Sequence, residues 1–239
     1  MKQNENKVVV ALDVSNKNKA AQLFDELGED AAALKIGLEM FIRFGPEIVQ
    51  NAVARGAKIM LDLKLHDIPN TVQKAVANVS LLGAELLTIH TTGGMKMMKA
   101  ARRGIEEAEK NYGVKGPKLL GVTVLTSISE EAMKNELGVI KSVEEQVVSL
   151  ALLAKEAGLD GVVASPKEIK SIRNACGDDF LIVTPGIRPA GSSVDDQKRV
   201  CTPEQAVADG ADYLVIGRPI LQADNPVEKL KEINKSIIH

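Results

Sequence analysis

Eight short runs rich in Val, Ile and Leu recur along the chain, at 8–14, 33–38, 59–65, 86–90, 119–125, 161–164, 181–183 and 213–216. Each has strand length, and most lack the polar alternation of a strand with one wet face. Such runs belong to a parallel sheet covered on both sides. Between them apolar residues return at helical spacing: Ala20, Leu23, Phe24 and Leu27, then Ile48, Val49, Ala52 and Val53, then Val72, Val76, Val79 and Leu82. Gly56, Gly83, Gly158 and Gly210 each close a helical stretch and lead towards the next run, as helix-ending glycines do. Eight strand–helix units in 239 residues, with no Pro/Gly/Ser-rich linker, predict an α/β fold of one domain over 1–239, a closed (β/α)8 TIM barrel. An open nucleotide-binding sheet is disfavoured, because neither G-x-G-x-x-G after the first strand nor G-x-x-x-x-G-K-[ST] is present.

Barrel chemistry sits at the C-terminal ends of the strands, and here those ends carry polar groups. The third run is broken by polar residues: Met60-Leu61-Asp62-Leu63-Lys64-Leu65-His66-Asp67-Ile68-Pro69-Asn70-Thr71. Strand alternation would put Asp62 and Lys64 on one face and Leu61, Leu63 and Leu65 on the helix-covered face. Asp67 follows in the loop, before Pro69 stops the ladder. The first strand ends near Asp13 and the second carries Lys35. The fourth ends in His90-Thr91-Thr92, the fifth in Thr126-Ser127, the seventh in Pro185-Gly186-Ile187-Arg188 and the eighth in Gly217-Arg218. Each has a plain structural alternative: Asp13 as a helix cap, His90 as a core histidine, Lys35 snorkelling out of an apolar strand, a lone Asp-x-Lys as a surface ion pair. Together they predict one polar mouth.

Barrels often grip phosphate with the loops after strands seven and eight. Arg188 and Arg218 offer the planar fork that pairs with phosphate oxygens, and Gly217 allows close backbone approach. The polar stretch 189–200 is long for a βα loop and is expected to act as a lid, with Gly191 as hinge and Gln197 closing on the phosphate.

The net charge of −2 predicts no general affinity for nucleic acid or an anionic membrane. No run approaches the roughly 18 apolar residues of a membrane span. Residues 1–7 are polar, without the apolar core of a signal peptide, so a cytoplasmic protein is expected. Cys176 and Cys201 fall in no metal-binding spacing, which fits small buried thiols in a reducing compartment.

With these residues placed, the chain resembles the orotidine 5′-monophosphate decarboxylase family. The resemblance runs over 9–219. It is carried by Ala11-Leu12-Asp13, Leu34-Lys35-Ile36-Gly37, the Asp62-to-Thr71 stretch quoted above, Thr184-Pro185-Gly186-Ile187-Arg188 and Ile216-Gly217-Arg218-Pro219. It implies decarboxylation of orotidine 5′-monophosphate to UMP, the last step of de novo pyrimidine nucleotide synthesis, with neither metal nor organic cofactor. It also implies a homodimer whose two sites are shared. Lys35, Asp62 and Lys64 would come from one subunit, with Asp67, Ile68 and Thr71 reaching in from the other. By the same resemblance Lys64 protonates the C6 carbanion, Asp13 and Lys35 hold the ribose, and Thr126 meets the pyrimidine. Pro185 joins the substrate-binding set, and Arg188, Gln197, Gly217 and Arg218 take the phosphate.

Two rivals remain. Sugar-phosphate barrels of the same superfamily, 3-keto-gulonate-6-phosphate decarboxylase and hexulose-6-phosphate synthase, share Asp-x-Lys-x-x-Asp. They bind Mg2+ through an acidic residue where this chain has Lys35. A phosphate-ligand-binding protein without catalysis is the other, disfavoured by the intact Asp62, Lys64 and Asp67.

Overall fold

The computed structural model of the protein describes residues 6–189 and 201–237. The described residues form eight parallel strands, β1 (Val8–Leu12), β2 (Ala33–Gly37), β3 (Ile59–Leu65), β4 (Leu86–His90), β5 (Lys118–Val122), β6 (Gly161–Val163), β7 (Leu181–Thr184) and β8 (Tyr213–Ile216). They pair in sequence order, and β8 closes on β1 through Val8–Leu214 and its neighbours. The predicted (β/α)8 barrel is therefore the observed fold. Around it run α1 (Lys17–Leu27), α2 (Leu38–Phe44), α3 (Glu47–Ala54), α4 (Pro69–Ser80), α5 (Gly94–Tyr112), α6 (Glu130–Asn135), α7 (Val143–Glu156), α8 (Ile169–Cys176), α9 (Pro203–Ala208), α10 (Arg218–Leu221) and α11 (Pro226–Ser236). None of these helices is long and apolar enough to cross a membrane.

The strand side chains alternate between two apolar layers. Val8, Val10 and Leu12 of β1 join Leu34, Ile36, Leu61, Leu87 and the inner faces of the helices in the larger core. Val9, Ala11, Ala33, Met60, Leu86, Leu120, Val183 and Val215 fill the barrel interior. Several helix starts carry side-chain caps. Asn16 accepts from the amides of Asn18 and Lys19 ahead of α1, and Ser142 and Glu145 form a reciprocal capping box on α7. Gly56, Gly83, Gly158 and Gly210 all take positive φ, as their helix-ending role requires. The sector that carries β3 and β4 is backed by α4 and α5. These helices approach closely at Gly104, where a Cβ would stand 2.3 Å from the Gln73 carbonyl oxygen.

Two strands end two or three residues earlier than their apolar runs suggest, and β2 and β6 one residue earlier. β1 stops at Leu12 and β5 at Val122, so Asp13 lies just past a strand and Thr126 sits in a turn four residues beyond one. Strand β3 departs further from the expected regular alternation. Leu61 pairs with Leu87 and Leu65 with Ile89, so residues 62, 63 and 64 stand opposite Thr88 alone. The bulge includes Lys64, whose φ of 49° makes it the one non-glycine residue with positive φ among those described.

Candidate active site

The bulge in β3 builds the centre of the site. Leu63 is buried outward, in the helix-facing core, while Asp62 and Lys64 turn to the barrel mouth. The expected shared face is thus reached by a kink in the backbone and not by plain alternation. Lys64 Nζ donates to Asp62 Oδ2 at 2.8 Å. On the other side of the same carboxylate, Lys35 Nζ from β2 lies 3.7 Å from Asp62 Oδ2 and 3.7 Å from Asp13 Oδ1. A row of alternating charge, Asp13, Lys35, Asp62, Lys64, therefore crosses the rim from β1 to β3. Asp62 and Lys35 are its sheltered members, each with a side chain 13% exposed, whereas Asp13 is open to solvent.

Burial is the largest single influence on Asp62, and it pushes the carboxyl pKa up. Lys35, then Lys64, and the hydrogen bonds from Lys64 and Thr88 together outweigh it, so the group is held below the usual carboxylate range. Thr88, from the middle of β4, was missed by reading strand ends alone. Its hydroxyl donates to Asp62 Oδ1 at 2.9 Å and accepts the Lys64 backbone N–H at 2.9 Å. The available signal was a threonine in the apolar run Leu86-Leu87-Thr88-Ile89 at an inward position. His90, at the end of the same strand, stacks at a tilt on His66 with ring centroids 5.4 Å apart. Burial foremost, then the nearby His66 and Lys64, lowers its pKa against the opposing pull of Asp62.

A cavity of about 180 Å³ opens beside this row. Its polar wall is Lys35, Asp62 and Lys64. Val122, Val124, Leu125, Val163, Ala164, Pro185 and Val215 give an apolar surround, and Thr126 adds a hydroxyl-bearing side chain. Of the residues expected at the site, the structure thus gathers Lys35, Asp62, Lys64, Thr126 and Pro185 around one space, with Asp13 attached through Lys35. Arg188 follows β7 and is buried; Gly217 and Arg218 follow β8, Arg218 opening α10. These three stand at the same end of the barrel but outside the cavity lining. At Gly217 a Cβ would press on Ala11, 3.3 Å away, so the β8–α10 turn runs tight against β1. Gln197 and the expected lid over 190–200 lie outside the described residues.

Asp67, Ile68 and Thr71 do not face this cavity. All three are exposed at the start of α4, and Asp67 accepts from the Ile68 amide at 2.6 Å. In one chain Lys64 pairs with Asp62, and among the described residues no ion pair joins it to Asp67. Among the described residues no three His, Cys, Asp or Glu side chains are disposed to hold a metal ion.

Fold and site together define an enzyme-like class: a parallel β/α barrel with an acid–base row at the carboxyl rim, opening on an apolar pocket. Comparison with known proteins narrows the class. The model of the orotidine 5′-phosphate decarboxylase / HUMPS family matches residues 6–233, and the chain belongs to that family. It is 48% identical over 233 residues to an orotidine 5′-phosphate decarboxylase of Moorella thermoacetica, covering 98% of this chain and 92% of that one. It is 49% identical over 231 residues to the enzyme of that name from Pseudoalteromonas translucida, covering 97% of each. Among solved structures, the orotidine 5′-phosphate decarboxylase of Lactobacillus acidophilus superposes with a TM-score of 0.87 at 40% identity, over 98% of this chain and all of that one.

Proposed function

We propose that this chain is a carboxy-lyase that converts orotidine 5′-monophosphate to UMP, working as one barrel domain over 1–239 in a cytoplasmic homodimer. The observation that carries the reading is the Lys64–Asp62 pair, 2.8 Å apart, set into an apolar pocket with Lys35 behind it. Loss of CO2 from C6 of the pyrimidine leaves a carbanion that no adjacent carbonyl delocalises in the usual way, so its stabilisation must be largely electrostatic. An ammonium held at that position favours the developing charge and then supplies the proton that completes the product. Apolar walls strengthen the effect by excluding water.

Asp62 faces the departing carboxylate. Two like charges about 4 Å apart repel by roughly 4 kcal/mol at an effective dielectric near 20, and the repulsion ends as CO2 leaves. Asp62 stays ionised for this because Lys35 and Lys64 flank it. Asp13 and Lys35 would take the ribose hydroxyls, and Thr126 the base. Arg188, Gln197, Gly217 and Arg218 would grip the phosphate, and that remote grip helps to assemble the reacting end. The exposed Asp67, Ile68 and Thr71 would complete the neighbouring subunit's site.

The test is CO2 release from orotidine 5′-monophosphate by the purified chain in the presence of EDTA. Turnover is expected to persist in EDTA, to vanish in Lys64→Ala, and in Arg218→Ala to show chiefly a raised KM. Turnover of a hexulose or keto-gulonate phosphate in its place, abolished by EDTA, would move the chain to the sugar-phosphate branch of its family. Near-normal turnover by Lys64→Ala would overturn the assignment of the proton donor.

A further inference from the structure

The bulge raises a question of support. Residues 62–64 have no regular ladder partners on β4, and Lys64 holds a backbone conformation that L-residues avoid. Something must fix it, because an ammonium that wanders by an ångström loses much of its advantage over water. The only β4 residue inside the gap is Thr88, which is fully buried. We infer that Thr88 is a positioning residue for the reaction proposed above: its hydroxyl clamps the bulge, fixing the Lys64 backbone and the Asp62 carboxylate in one geometry before substrate arrives.

Hydrogen-bond accounting supports the clamp. A hydroxyl has one proton and two lone pairs. Thr88 gives its proton to Asp62 Oδ1 and accepts the Lys64 N–H, so the amide of the strained residue is satisfied by a side chain. Asp62 spends its other oxygen on Lys64 Nζ. The three groups close a ring: Lys64 backbone to Thr88, Thr88 to Asp62, Asp62 to the Lys64 ammonium. Other buried barrel threonines do nothing comparable. Thr91 and Thr123 donate to the carbonyls of Val122 and Val163, and the Thr184 hydroxyl has no hydrogen-bond partner. A valine would fill the Thr88 position at no desolvation cost, so the hydroxyl answers a need other than packing. Thr88 also stands behind Asp62 and outside the cavity lining, where it cannot grip substrate directly. Its influence should fall on turnover and not on binding.

The test compares Thr88→Val, which keeps the branched shape, with Thr88→Ser, which keeps the hydroxyl. For Thr88→Val, kcat should fall roughly ten- to a hundredfold, the scale of one hydrogen bond to a charged group, with KM moving less than about threefold. Thr88→Ser should recover most of the loss. Carbon-13 NMR titration of Asp62 in the substrate-free protein gives an independent readout, and its midpoint should rise in Thr88→Val and return in Thr88→Ser. Wild-type kcat with an unmoved Asp62 midpoint in Thr88→Val refutes the clamp. So does a rise in KM alone, or an equal loss in both variants accompanied by lower thermal stability. Because the inference rests on the proposed activity, a wild-type chain that leaves orotidine 5′-monophosphate untouched would sink that activity, and the Asp62 titration would then decide the clamp by itself.

Discussion

Lys64 combines the proposed proton donor with a strained backbone, and the two can be separated by replacing it with alanine and with glycine. Either substitution removes the ammonium and its 2.8 Å bond to Asp62, so that loss cancels in the comparison. What differs is the cost of φ = 49°. A residue with a Cβ is disfavoured there by about 1–2 kcal/mol, which glycine escapes. Glycine in turn gives the unfolded chain more freedom, at a cost of roughly 0.5–1 kcal/mol. At the middle of both ranges the balance leaves Lys64→Gly more stable than Lys64→Ala by about 0.75 kcal/mol, within limits of roughly 0–1.5, reversing the usual order for an interior strand position. In a chain of this size that is about 1–4 °C in Tm. Urea unfolding at equal m-values reads the difference directly, and both variants should lack turnover. An alanine variant as stable as the glycine one, or more so, would show that the bulge relaxes to ordinary strand geometry. The ammonium's placement would then owe nothing to this backbone conformation.

Three further outcomes are expected. The depressed pKa of Asp62 means that its contribution to stability is fully present above the ordinary carboxylate range, and is lost as pH falls through the lowered folded value. Asp62→Asn should therefore flatten that acid limb of the stability–pH curve measured by chemical denaturation, and an unchanged limb would contradict the ionised assignment. If Asp67 completes the neighbouring site, mixing inactive Lys64→Ala and Asp67→Ala subunits through unfolding and refolding should restore about a quarter of wild-type activity, because half of the dimers would then hold one intact site; no recovery would count against shared sites. Lys35 is the strongest of the influences that hold Asp62 ionised, stronger than the hydrogen bond from Thr88. Lys35→Ala should accordingly raise the Asp62 titration midpoint more than Thr88→Val does, and the opposite order would refute the ranking.

The barrel was legible because its physical signal is redundant. Eight apolar runs and four helix-ending glycines agreed, so no single boundary mattered. Strand limits were less legible at β1 and β5, where apolar residues such as Val14 and Leu125 continue past the ladder to pack against the core or line the pocket. Lys35, Asp62 and Lys64 could be found because charged residues inside apolar strands demand a reason. Thr88 could not be found in that way, since threonine is an ordinary strand residue and its role depends on which oxygen and which amide face it across β3 and β4. The bulge was equally hidden. Asp-Leu-Lys reads as clean alternation, and only the pairing of Leu61 with Leu87 and of Leu65 with Ile89 reveals the extra residues.

Lys35 bears on the choice between the two chemistries that the family's name joins. Its ammonium lies 3.7 Å from Asp13 and 3.7 Å from Asp62, between the carboxylates that could otherwise meet a divalent cation from β1 and β3. Magnesium needs oxygen ligands at about 2.0–2.1 Å in near-octahedral order. A lysine in that place occupies the space, repels the ion and satisfies the same acids. The charge that a metal would supply is instead built into the chain, as a fixed row of alternating sign. Such a row suits a reaction whose difficulty is one localised negative charge, because each member is held by its neighbours before substrate binds and little reorganisation is left for the moment of bond breaking. It would serve poorly a reaction that must polarise a sugar carbonyl and hydroxyl together, where the bidentate grip of a metal is the simpler means. Residue 35 thus does more than contribute to the ribose contact proposed for it: a lysine there leaves Asp62 and Lys64 to the roles proposed for them, towards the substrate's carboxylate and C6.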